Sequence, residues 1–128
     1  MSTKTSRIGE INLVMIPSTD QDRSIEFYEA LGFQKRTDIP FGGSYRWVEV
    51  FPPSGTTGIA LAPPRPQDPT GVQTGISLTT REIDATHAEM KSSGVDVDAD
   101  VSRMGDPVPP MFWFRDPDGN TLLIVEQG

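Results

Sequence analysis

The stretch FRDPDGNTLLIVEQ, residues 114–127, decides how this chain is read. Asp116-Pro117-Asp118-Gly119 puts Asp first, Pro second and Gly fourth, the residue set of a type I turn. Upstream, MFWFR (111–115) reads as a strand, and downstream NTLLIVE (120–126) reads as another, so the tetrad closes a hairpin. Gly119 is expected to have a positive φ, because it leaves the turn and enters the strand as a bulge. The paired carboxylates of Asp116 and Asp118 are explained by the turn itself, with the first Asp capping it through its side chain.

The same order of elements occurs twice along the chain. In the first half, IGEINLVMI (8–16) reads as a strand closed by Pro17. In STDQDRSIEFYEALG (18–32), Ile25, Tyr28 and Leu31 recur at helical spacing, Ser18 and Gln21 have capping-box spacing, and Gly32 ends the helix. FQKRTDI (33–39), SYRWVEVF (44–51) and GIALA (58–62) read as strands, with PPSGTTG (52–58) as the loop of the last hairpin. PPRPQDPTGVQ (63–73), with four prolines and no apolar pattern, is a connector. Then come a strand in TGISLT (74–79), a helix in TREIDATHAEMKSSG (80–94) with Thr79 and Glu82 at capping-box spacing, a strand in VDVDADV (95–101), and the closing hairpin. The two halves keep register. Gly32 and Gly94 lie 62 residues apart, and the final strands start 63 apart at Ile59 and Leu122. The sequence therefore predicts one domain over 1–128: module one at 8–62, the connector at 63–73, and module two at 74–127.

Composition bounds the rest. With 128 residues there is room for one packed core. Apolar residues make up 35% and charged residues 23%, which is globular, and the 12 Gly and 12 Pro announce many turns. A net charge of −7 argues against nucleic-acid binding through phosphates. The absence of cysteine excludes disulfides, thiolate metal sites and a Cys nucleophile. The opening stretch has no apolar signal-peptide core and no segment approaches a membrane span, so a cytoplasmic protein is expected.

Two βαβββ modules, with FYEALGF (27–33) in the first and RDPDGN (115–120) closing the second, resemble the vicinal oxygen chelate superfamily. That superfamily includes glyoxalase I, bleomycin- and fosfomycin-resistance proteins and extradiol dioxygenases, and the resemblance runs from about Gly9 to Glu126. It implies an α+β fold in which each module curls a mixed sheet around a cavity with one helix on the convex face. It also implies a homodimer whose cavities lie between modules. In the metal enzymes of the superfamily, ligands stand on the first and last strands of the modules. The matching positions here are Leu13 (Asn12 if the register shifts by one), Ala60, Gly75 and Leu123, which stands three residues after Asn120. Leu, Ala and Gly offer no donor atom to a divalent cation, so no metal and no other cofactor is expected. Glu126 has the opposite parity from Leu123 and is expected to face the helix side or solvent.

Alternation places Trp47 and Glu49 opposite Val48 and Val50, and Trp113 opposite Phe112 and Phe114. With the valines and phenylalanines on the helix side, the cavity would be lined by Leu13, Met15, Trp47, Glu49, Ala60, Ser77, Met111, Trp113 and Leu123. Trp113 also matches a position that lines the hydrophobic pocket of glyoxalase-like relatives. Two indoles and one carboxylate suit a flat ligand, cationic ones included. The single histidine, His87, falls on the packed stripe of the second helix and reads as structural. Asp96, Asp98 and Asp100 read as the wet face of an edge strand.

The expected function is metal-independent binding of a small apolar or aromatic molecule, in the manner of bleomycin-resistance proteins. The rival is an enzyme of the same superfamily, a lyase, isomerase or dioxygenase. It would draw a metal from unexpected ligands, or use Glu49 for acid–base chemistry with help from Tyr45 or Arg46. A third reading is a structural or partner-binding module.

Overall fold

The structure is a computed structural model that describes residues 6–43 and 45–128. The expectations for residues 1–5 and for Ser44 lie outside the described residues. The element order is β1 (Leu13–Pro17), α1 (Gln21–Ala30), β2 (Gln34–Pro40), β3 (Arg46–Phe51), β4 (Gly58–Ala62), β5 (Gln73–Thr80), α2 (Ile83–Ser92), β6 (Asp96–Val97), β7 (Met111–Arg115) and β8 (Thr121–Glu126). Two four-stranded mixed sheets result, ordered β1-β4-β3-β2 and β5-β8-β7-β6, each with one parallel pair (β1·β4 and β5·β8). This is the α+β, twice-βαβββ fold expected.

One face of each sheet is dry. Val48, Val50, Phe112, Phe114 and Leu122 are fully buried, and they share one hydrophobic cluster with Tyr28 and Ile25 of α1 and Ile83 and Met90 of α2. Each helix therefore covers the face carrying Val48 and Val50 or Phe112 and Phe114, as the alternation required. Helix α1 also crosses to the second module, where Phe27 stacks on Phe114 with ring centroids 6.4 Å apart.

The two motifs that carried the resemblance touch each other. Tyr28, fully buried, donates its hydroxyl to Asp116 Oδ2 at 2.8 Å. Asp116 Oδ1 also accepts the backbone N–H groups of Asp118 (3.0 Å) and Asn120 (2.9 Å), so one carboxylate closes its own turn and fastens module two to α1. Asn120, also buried, donates to Pro17 O at 2.8 Å and accepts from Val72 N–H at 3.1 Å. Thr19 N–H donates to Asp118 Oδ1 at 3.1 Å. Burial, and then the adjacent Asp116 charge, push the Tyr28 hydroxyl above its ordinary ionisation range. Gly119 has φ +81, as the turn demanded. The equivalent junction in module one is not fastened, since Met90 stands 62 residues after Tyr28 and PPSGTTG has no carboxylate.

Several local expectations are corrected. Strand β1 begins at Leu13, not Ile8, because its ladder partner β4 begins only at Gly58, and Ile8 and Ile11 remain exposed. The N-cap of α1 is Asp20, which accepts from Arg23 N–H at 3.1 Å. Ser18 instead shares a buried hydrogen bond with Ser24, and the Gln21 amide donates to Arg46 O and Leu61 O. Thr79 lies inside β5, and Glu82 at the N-cap of α2 makes no side-chain cap bond. Glu126 Oε2 accepts from Ile83 N–H there at 3.3 Å, a helix-side carboxylate as its parity implied. The strand expected over 95–101 shortens to two residues. Asp96 and Asp98 stay solvated at this sheet edge, as expected, and in addition pair with Arg115 at 2.9 and 2.8 Å, which holds the Asp96 carboxyl below its usual range.

Candidate functional site

The faces turned away from the helices carry the residues singled out from sequence. Ladder partners share a face, so the register assigns them directly. In the first sheet Met15, Ala60, Glu49 and Thr37 form one row, flanked by Leu13 opposite Gly58 and by Trp47 opposite Ile39. In the second sheet Ser77, Leu123 and Trp113 form the corresponding row, with Met111 opposite Val125 beside it. Within each sheet the expected residues are neighbours. No described contact joins one set to the other within the chain.

These faces are apolar yet wet. Met15 is 69% exposed and Ile39 56%, whereas Ile16 and Val48, one residue over on the opposite face, are 2% and 0% exposed. Ala60 is buried beneath its neighbours, and Leu13, Trp47, Glu49, Met111, Trp113 and Leu123 are half-buried.

Two clefts border these rows only at their edges. One of about 930 Å³ opens between the helix-bearing faces of the modules, bordered by Val14, Phe27, Leu31, Ile76, Leu78 and Met90, and of the expected lining residues it touches only Ser77. It sits where the loop of module one faces α2 without the Tyr–Asp fastening of module two. A second, of about 470 Å³, runs between Met15 and the connector at Pro63, Pro64 and Val72.

The residues at the superfamily's metal positions do not fit a divalent cation. Leu13, Ala60 and Leu123 present hydrocarbon, and Gly75 presents nothing. Gly75 sits with φ +73 inside a register break between Gln73 and Ser77, so Ser77 rather than Gly75 stands opposite Leu123. Among the described residues no group of three or more His, Cys, Asp or Glu is disposed to hold a metal ion.

Glu49 is the one carboxylate in these two rows. Its Oε2 accepts from Trp47 Nε1–H at 2.6 Å and its Oε1 from the Thr37 hydroxyl at 3.3 Å. Thr37 was missed from sequence, because its placement depends on a β-bulge between Lys35 and Thr37 that no residue signal announced. Tyr45 packs on Phe41 with ring centroids 5.5 Å apart. Arg46 points to the helix side, where it pairs with Asp38 (3.0 Å) and Asp22 (2.9 Å), so it does not assist Glu49. His87 hydrogen-bonds Asp98 O at 2.7 Å and meets the edge of Phe112 with centroids 4.9 Å apart, which is a structural role.

Residues 10–124 match the family model described as the glyoxalase/bleomycin resistance protein/dioxygenase superfamily. Among solved structures, the chain is similar to TnmS3, an antibiotic binding protein from Streptomyces sp. CB03234, at 30% identity and TM-score 0.82 over 97% of this chain and 100% of that one. It is similar to a member of the same superfamily from Sphaerobacter thermophilus DSM 20745 at 33% identity and TM-score 0.85, covering 94% and 98%. A glyoxalase/bleomycin resistance protein from Streptomyces sp. CB03234 is 33% identical with TM-score 0.72, covering 88% and 96%. No curated protein matches the sequence.

Proposed function

We propose, for a chain that belongs to the glyoxalase/bleomycin resistance protein/dioxygenase superfamily, metal-independent binding of a small, mostly apolar or aromatic molecule. The observation that carries this reading is a contrast on the same two faces. Where relatives with metal chemistry would need donors, there are Leu13, Ala60, Gly75 and Leu123. Around those positions stand two indoles, Trp47 and Trp113, and the thioethers of Met15 and Met111. Such a lining gives a flat molecule dispersion and stacking contacts, and supplies no nucleophile or Lewis acid. The antibiotic-binding description of TnmS3 supports the same direction.

A homodimer is part of the proposal. Met15 and Ile39 lie open on the lining face of a single chain, and a second copy laid against it would enclose them and the ligand together. The test is a thermal-shift screen of aromatic antibiotics and other planar molecules against the metal-stripped protein. A ligand at a hundred times its dissociation constant should add about 2.7 kcal/mol of stability. The expected result is a saturable upward shift with at least one such class. A protein that shifts only when a divalent metal is added would contradict the reading.

A further inference from the structure

In the β2–β3 ladder, Lys35 pairs with Val50 and Thr37 pairs with Glu49, so Arg36 is the extra residue of the bulge. In a regular antiparallel ladder the residue after Lys35 would stand opposite Glu49, and that residue is Arg36. An Arg directly across from a Glu is a stabilising pair. The bulge withdraws it. Arg36 reaches the β3–β4 loop, donating to Gly55 O at 3.1 Å and Pro53 O at 3.3 Å, with its guanidinium 4.4 Å from the centre of the Phe51 ring. Bulges that re-aim a side chain in this way are concentrated next to functional sites.

Glu49 is left with uncharged donors, Trp47 and Thr37. Among the described residues no Lys or Arg forms an ion pair with it. Two donors occupy about half of the four acceptor positions of a carboxylate, so the charge and the remaining positions are free for a ligand. The Trp47 bond uses the edge of the indole, since its N–H lies in the ring plane, and leaves the ring face for stacking. A negative charge fixed at the rim of an indole, on an otherwise apolar row, matches a flat ring system that carries a positive charge.

Building on the binding function proposed above, we infer that Glu49 is the anchor for a cationic nitrogen and that the ligand class is aromatic cations. Thr37 and the bulge are its positioning elements.

The test uses matched pairs that differ in a permanent charge: quinoline with N-methylquinolinium and acridine with N-methylacridinium, titrated calorimetrically at pH 8. The wild-type protein should bind each cation at least tenfold more tightly than its neutral partner. In Glu49→Gln, which retains an acceptor for Trp47, that ratio should fall below threefold. Glu26→Gln, an exposed change on α1 that removes one negative charge likewise, should leave the ratio above tenfold. Equal affinities in the wild type, or a preference that survives in Glu49→Gln or is lost in Glu26→Gln, would overturn the anchor while the binding function stands. Failure of both ring systems to bind at all, charged or neutral, would overturn the binding function and the anchor with it.

Discussion

Replacing Tyr28 with Phe isolates one buried contact between the two modules. The hydroxyl is fully buried, 2.8 Å from Asp116 Oδ2, and Asp116 is 5% exposed. A hydrogen bond to a charged acceptor contributes about 1.5–3 kcal/mol net. Tyr28→Phe leaves the ring contacts to Phe27 and Phe33 in place, with centroids 5.1 and 5.3 Å away, so no cavity forms. Oδ2 still accepts from Asn120 Nδ2 at 2.9 Å, so the carboxylate is not orphaned. The expected loss is therefore toward the lower end, roughly 1.5–2 kcal/mol. For a domain of this size that is a drop in Tm of about 5–10 °C. Urea unfolding followed by far-UV circular dichroism measures it, with an unchanged m-value. A loss below about 0.5 kcal/mol would mean that the bond does not form in solution and that the remaining contacts, such as Asn120 to Pro17 O and Thr19 N–H to Asp118, hold module two. The sign with pH is also fixed. Tyr28 ionises less readily in the folded than in the unfolded chain, so its contribution is intact below about pH 10 and is lost as pH rises above that. The wild type should thus lose more stability than Tyr28→Phe between pH 9 and about pH 11.

Gly119→Val forces a β-branched residue into a φ of +81 and should lower stability by about 1–3 kcal/mol; a neutral effect would show that the turn relaxes freely. His87→Leu removes the hydrogen bond to Asp98 O and should cost about 1 kcal/mol in urea unfolding, with ligand affinity unchanged. A loss of binding in that variant would move the functional site to the helix side.

The fold was legible because two patterns agreed. Alternation in RWVEVF and MFWFR fixed which side chains face the helices, and the matched spacing of Gly32 with Gly94 fixed the repeat. Both helix stops behave alike: Phe33 N–H returns to Tyr28 O, and Val95 N–H to Met90 O. Helix starts were misread because Ser18 and Thr79 have the right spacing for caps but are held by other elements: Ser18 by Ser24, and Thr79 in the β5 ladder opposite Val125. Tertiary context overrides capping signals of this kind. Within each sheet the candidate residues share a face because strand parity assigns a side chain to a face. Thr37 and the pairing of Ser77 with Leu123 were not legible, since each depends on a register shift set by the neighbouring strand rather than by local sequence.

On this proposal the indole-bearing faces bind a planar molecule without a metal. Tryptophan fluorescence reads it directly, because Trp47 and Trp113 are the chain's two tryptophans and both lie on those faces. The protein, purified without added metal and dialysed against a chelator, should contain well under one equivalent of zinc, nickel, iron or manganese. A planar ligand from the thermal screen should quench it saturably, with the same dissociation constant in chelator and in added divalent ion. Trp113→Ala should weaken binding by about tenfold, or ~1.4 kcal/mol. Quenching that requires a stoichiometric metal, or that is untouched by losing Trp113, would contradict the account.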